Sequence, residues 1–168
     1  MLEQYLTKEN ILTALPALCI IGYKFFPDIK DWLFHEKIED KLYSDNHVWL
    51  KEVGYNTFLL GVSDYLRKRH SNFNLVSFRN NTKYRKDSKI ATLISLHNSF
   101  EVKAPCDLII EELNKEVNNN INELCNDYEN IPLMKISIKS EKRIQLNDLI
   151  PSFEYQSKYL SSETILNA

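Results

Sequence analysis

The run Leu93, Ile94, Ser95, Leu96, His97, Asn98, Ser99, Phe100, Glu101, Val102, Lys103, Ala104, Pro105 sets a histidine between two short stretches of strand-like composition. Asn98 suits a turn, because asparagine tolerates left-handed backbone. The expectation is a hairpin with His97 at its tip. An imidazole is a competent nucleophile and can carry a phosphoryl group, but nothing around His97 resembles a phosphohistidine site. It cannot hold an acyl group durably, since water hydrolyses an acyl-imidazole. The readings left are an exposed turn residue without a task and a contact residue in a partner interface. A lysine amine would form a lasting amide, and Lys103 lies six residues further on. Strand alternation directs it away from the tip, as a solvent-facing strand residue.

Other constellations are sparse. His35, His47, His70 and His97, taken with Cys19, Cys106 and Cys125, show no metal-ligand spacing, so no metal is expected. The cysteines are odd in number and far apart, which fits a reducing compartment. There is no glycine-rich phosphate loop, and Ser63 and Asp64 read as a turn and a helix N-cap rather than part of a triad. No catalytic residue is assigned. Charge gives a positive clue: Arg67, Lys68, Arg69, Arg79, Lys83, Arg85, Lys86 and Lys89 face only Asp87 within their window, a net of +7 in a chain whose total is −2. Such a face can meet an acidic protein, an anionic lipid surface or nucleic acid, or can be a solvated loop. Phe73, Phe78 and Tyr84 are interleaved with it, but Phe73 and Phe78 fit a strand core.

The elements that would position these groups are mostly strands. Val48–Val53, Thr57–Val62, Leu75–Phe78, Ile90–Leu96, Phe100–Ala104, Leu108–Leu113 and Met134–Ile138 are short, rich in β-branched or aromatic residues, and bounded by polar or Pro/Gly residues. With 168 residues and 43% hydrophobic content, they predict one soluble, mainly β domain with flanking helices, an α+β arrangement. The chain has only three glycines, so Asn and Asp must carry several turns. Asn114–Asp127 reads as one helix, its asparagines a compositional bias. Leu146, Leu149, Ile150, Phe153, Tyr155 and Tyr159 form an apolar series around Pro151, read as a packed terminal helix.

Residues 1–40 read as a helical extension and 41–168 as the main domain. Ile11–Gly22 is almost wholly apolar, but it is shorter than a bilayer span and is interrupted by Pro16. The expectation is two helices that dock on the domain, a partner or a membrane surface. Acidic residues outnumber lysines in the first forty positions and arginine is missing, the wrong charge for a secretory or transit peptide.

From about Tyr43 to Tyr159 the chain resembles the H protein of the glycine cleavage system, a lipoyl-bearing shuttle with a barrel-sandwich hybrid fold. Tyr43, Ser44, Asp45, Asn46, His47, Val48, Trp49 resembles the family's opening "Y-x-x-x-H-x-W", and Gly61, Val62, Ser63, Asp64, Tyr65 its "G-I-T-D-Y" turn. Ser95, Ala104, Pro105 and Asp107 to Asn114 fall without a gap on the stretch around the family's carrier lysine. Asp148, Leu149 and Ile150 followed by Tyr155 resembles its closing segment.

The departures fall on the carrier chemistry. The resemblance assigns His97 to the lipoyl-lysine position and Ile94 to that of a glutamate read by lipoate-attaching enzymes. Leu108 stands for a glycine, and Tyr128, Glu129, Asn130, Ile131, Pro132 stands where the family has "Y-G-x-G-W". Ile94, Ser95, Asn98, Ala104 and Pro105 remain as the hairpin frame. The resemblance therefore implies a degenerate H-like domain: a non-catalytic structural or regulatory module, expected to bind a protein partner and to carry no cofactor. An alternative is a divergent lipoyl carrier, with Lys103 as the substitute amine and lipoate as cofactor. A further alternative is a basic-face module for nucleic acid or anionic membrane, since the family is usually acidic in that window. By resemblance the location is a mitochondrion or related organelle, and otherwise the cytoplasm.

Overall fold

In the computed structural model, residues 40–70 and 73–159 are described. The expected N-terminal helices, including Ile11–Gly22, lie outside the described residues.

Strand periodicity builds the centre. In β2 (Val48–Gly54), Val48, Leu50 and Glu52 alternate into the main core while Trp49 turns to the opposite face. β2 pairs antiparallel with β1 (Leu42–Tyr43) and with β3 (Thr57–Val62). In register, Trp49 lies opposite Gly61, whose missing side chain leaves room for the indole.

Chain order continues with α1 (Tyr65–Arg69), β4 (Leu75–Phe78), β5 (Lys83–Tyr84), β6 (Lys89–Ile94), β7 (Ser99–Lys103) and β8 (Leu108–Leu113). Then come α2 (Lys115–Asn119), α3 (Ile121–Asn126), β9 (Met134–Ser137), a 3-10 helix (Ser140–Asp148), β10 (Ile150–Pro151) and α4 (Ser152–Tyr159). One sheet has seven strands in the order β10-β1-β2-β3-β9-β8-β5, and the other has three in the order β4-β6-β7. Val48, Leu60, Val62 and Ile136 of the first sheet share a fully buried core with Ile90, Leu93 and Val102 of the second. Two sheets facing across one apolar core, with short helices at the margins, form the sandwich-like barrel expected of the sequence.

All seven long strands occur where their patterns place them, to within two residues at each end. β1, β5 and β10 are two residues each, too short to show a period. The single helix expected over Asn114–Asp127 is two helices, interrupted at Asn120 with φ −142° and ψ 85°. Consecutive asparagines disfavour helix and offer side-chain competition for the backbone there. The expected terminal helix is likewise divided. Leu146 and Leu149 join the main core from the 3-10 segment and its end, whereas Phe153 on α4 is 75% exposed.

Left-handed backbone occurs at His47, Asn56 and Asp87 among the described non-glycine residues. Asn98 is not one of them, contrary to the expectation for the hairpin turn.

Candidate functional site

The β6–β7 hairpin is held in register from Lys89↔Lys103 to Ile94↔Ser99. Ser95 closes its turn. The Ser95 backbone N–H donates to the Asn98 carbonyl at 2.8 Å, its hydroxyl donates to the same oxygen at 3.0 Å, and the Asn98 N–H donates back to the hydroxyl at 3.0 Å. These bonds do what a left-handed Asn98 was expected to do. Leu96, His97 and Asn98 all project into solvent, Leu96 with 83% of its surface exposed. Ile94 is half-buried at the end of β6.

Lys103 sits at the other end of the hairpin, opposite Lys89. It lies four strand steps beyond Ser99, roughly 13 Å at ~3.3 Å per residue. It is half-buried rather than fully solvent-facing. Ala104 and Pro105 are buried at the hairpin base, where the Ala104 N–H donates to the Ser88 carbonyl at 2.9 Å. The tip is thus mounted on a fixed base, and the residue it presents is an imidazole.

The basic window is spread over α1, β5, β6 and the turns between them. Lys68 and Arg69 lie on α1, with the Arg69 guanidinium 5.2 Å from the Tyr65 ring centre; the Arg67 side chain is not described. Lys86 pairs with Asp148 at 2.6 Å and Lys89 with Glu101 at 2.8 Å. Arg79, Lys83 and Arg85 are exposed. Pairing with carboxylates from outside the window removes part of its apparent surplus.

A polar cluster on the outer face of the larger sheet escaped sequence reasoning. Tyr155 of α4 places its hydroxyl 2.7 Å from His47 Nδ1 and 2.7 Å from Ser63 Oγ. The His47 ring lies 4.3 Å from the Tyr65 ring centre. Nearby, Glu129 accepts from the Tyr43 hydroxyl at 2.8 Å and from the Asp64 N–H at 2.9 Å, and Lys41 stands 3.6 Å from its carboxylate. Asp64 occupies the N-cap position of α1, but its side chain makes no capping hydrogen bond.

Lys41, Tyr43, Asp64, Glu129 and Tyr155 line an open cleft of about 460 Å³, together with Lys51 and Gln156. Burial, the largest cause, and then the nearby Arg69 charge push the His47 pKa down to about 4. Burial raises the Tyr43 and Tyr155 hydroxyls well above their usual value. All three are therefore neutral at pH 7, and Ser63 is fully buried. The Tyr155 hydroxyl thus ties α4 to His47 and Ser63, and Glu129 ties Tyr43 of β1 to the start of α1.

Cysteine chemistry is equally quiet. Burial pushes the Cys106 thiol up to about 12, so it is protonated and unreactive. Cys125 is buried and donates to the Phe73 carbonyl at 3.3 Å. Among the described residues no group of three or more His, Cys, Asp or Glu is placed to hold a metal ion. No described helix is long and apolar enough to cross a membrane.

Two sheets sharing one core, joined by short helices and carrying an exposed β-hairpin tip, define the class: a barrel-sandwich protein. The family model described as glycine cleavage H-protein matches residues 41–162, and the chain belongs to that family. A crystal structure of a glycine cleavage system H protein from Mycobacterium marinum is similar in fold, with a TM-score of 0.60 at 12% identity. The similarity covers 72% of this chain and 97% of that one. No curated protein sequence matches the chain. The family consists of carrier components and not of catalysts in their own right.

Proposed function

We propose that this protein is an H-family domain that has lost the carrier function and serves as a non-catalytic, protein-binding module. The observation that carries the reading is the residue at the hairpin tip. His97 projects from the turn on a frame that keeps Ser95, Ala104 and Pro105, while the hairpin lysines Lys89 and Lys103 lie together at its base. A lipoyl group is held by an amide to a lysine amine, and an imidazole offers no such bond. The tip residues do not fit that group, so no transfer chemistry is assigned to it. Leu96, exposed beside His97, gives the tip an apolar contact of the kind a partner protein can cover. The family's work on partner enzymes supports a protein partner; a mitochondrial or related compartment is an expectation from the family resemblance.

A second reading, a divergent lipoyl carrier of the glycine cleavage system, is favoured by the extent of the family match over residues 41–162. The two readings separate in a reconstituted glycine cleavage assay in which the full chain replaces H protein. No turnover above the assay without H protein is expected. Glycine-dependent turnover would overturn the proposal in favour of the carrier reading.

A further inference from the structure

The turn that follows β4 leaves a concavity of about 450 Å³ that the hairpin tip does not use. Phe78 forms part of its wall, and its polar lining comes from Ser77, Arg79, Asn80, Asn81, Lys89 and Thr92. Sheet register explains the convergence. Ser77 lies opposite Thr92 across β4 and β6, which puts the two hydroxyls on one face of the sheet. The Arg79 N–H donates to the Ile90 carbonyl at 3.0 Å, fixing the exit of β4 next to the start of β6 and Lys89.

The chemistry of this lining is one-sided. A guanidinium, an ammonium, two amides and two hydroxyls line the cavity, and no carboxylate does. Lys89 spends one bond on Glu101, at 2.8 Å. Glu101 lies opposite Thr92 in register, and the Arg79 charge also acts on it, so two cations of the lining stand against one carboxylate at its edge. Ser77, Arg79, Asn80 and Asn81 are exposed and Thr92 is half-buried, so their donors face solvent and are open to a ligand. Charge surplus and unspent donors in one recess are what a multiply charged oxyanion requires, and a planar guanidinium matches two of its oxygens at once.

We propose that this recess binds free phosphate or the phosphate of a small phosphomonoester, with Arg79 as a bidentate clamp and Ser77, Asn80, Asn81 and Thr92 completing the shell. The site is independent of what His97 does.

The test is a titration of the full chain with inorganic phosphate at constant ionic strength, followed by amide chemical shifts. Saturable shifts confined to residues 77–81 and 89–92 are expected. Arg79→Gln should weaken binding by about tenfold or more, and Thr92→Glu, which brings a carboxylate into the recess, should abolish it. Lys115→Gln, a charge change on α2, should leave it unchanged. Shifts that do not saturate, or that Arg79→Gln leaves intact, would overturn the proposal. Vesicles containing phosphatidic acid distinguish a lipid headgroup from a free anion. Binding to those vesicles without any response to inorganic phosphate would overturn it as well.

Discussion

Gly61 lies against the indole of Trp49, and a side chain there has nowhere to go. A Cβ there would overlap the Trp49 ring. The indole cannot move aside cheaply, because its N–H donates to the Val62 carbonyl at 2.9 Å and the Tyr128 carbonyl at 3.1 Å. Gly61→Ala should therefore cost roughly 3 kcal/mol in urea unfolding. His47 makes a second residue-scale prediction. Its folded pKa is about 4 against an unfolded value of 6.5, with Arg69, Asp45, His70 and Lys158 as the charged or titratable groups acting on it. Between those values the unfolded chain binds more protons, so stability falls as pH drops from 6.5 toward 4 and levels off below. His47→Asn keeps a residue tolerant of the φ of 58° and should flatten that part of the curve. Asp45, held below the usual carboxylate range by Lys158 and Tyr159, adds a loss at lower pH that the substitution should not remove.

At the scale of elements, the short helices depend on caps more than on propensity. The Asn114 side chain accepts from the Glu116 N–H at 3.1 Å and the Val117 N–H at 3.4 Å, and donates to the Pro132 carbonyl at 2.8 Å. Asn114→Ala removes the cap of α2 and its tie to the segment before β9, and should lower stability by about 1–2 kcal/mol with an unchanged denaturant slope. The long strands were legible because β-branched residues and period-two alternation persist over four to seven positions. The division at Asn120 was not, since Val117 and Leu124 keep a helical spacing across it while Asn120 alone leaves helical backbone. The hairpin turn shows a similar limit. Its closure falls to Ser95, and a serine before a turn carries no signal that distinguishes it from the asparagine after the turn.

At the scale of the whole molecule, sheet pairing decides which parts of a linear pattern become a surface. The basic window reads as one charged run, yet Asp148 and Glu101 reach in from distant segments to pair with Lys86 and Lys89. The same pairing brings Ser77 and Thr92 together in the recess beside Arg79. None of these meetings has a local signature, whereas the motif run from Ser95 to Asn114 marked both the hairpin and its tip residue. The Glu129 and Tyr155 ties were also illegible, because their bonds join Asp64 to Glu129 and Ser63 to Tyr155, 65 and 92 positions apart.

The most direct test of the central claim is the intact mass of the full chain after incubation with lipoate, ATP and a lipoate-attaching enzyme, beside an authentic H protein that becomes modified. With His97 at the hairpin tip, the mass should remain that of the unmodified chain. One added lipoyl group, mapped to Lys103 or any other lysine, would contradict the account and make the protein a carrier.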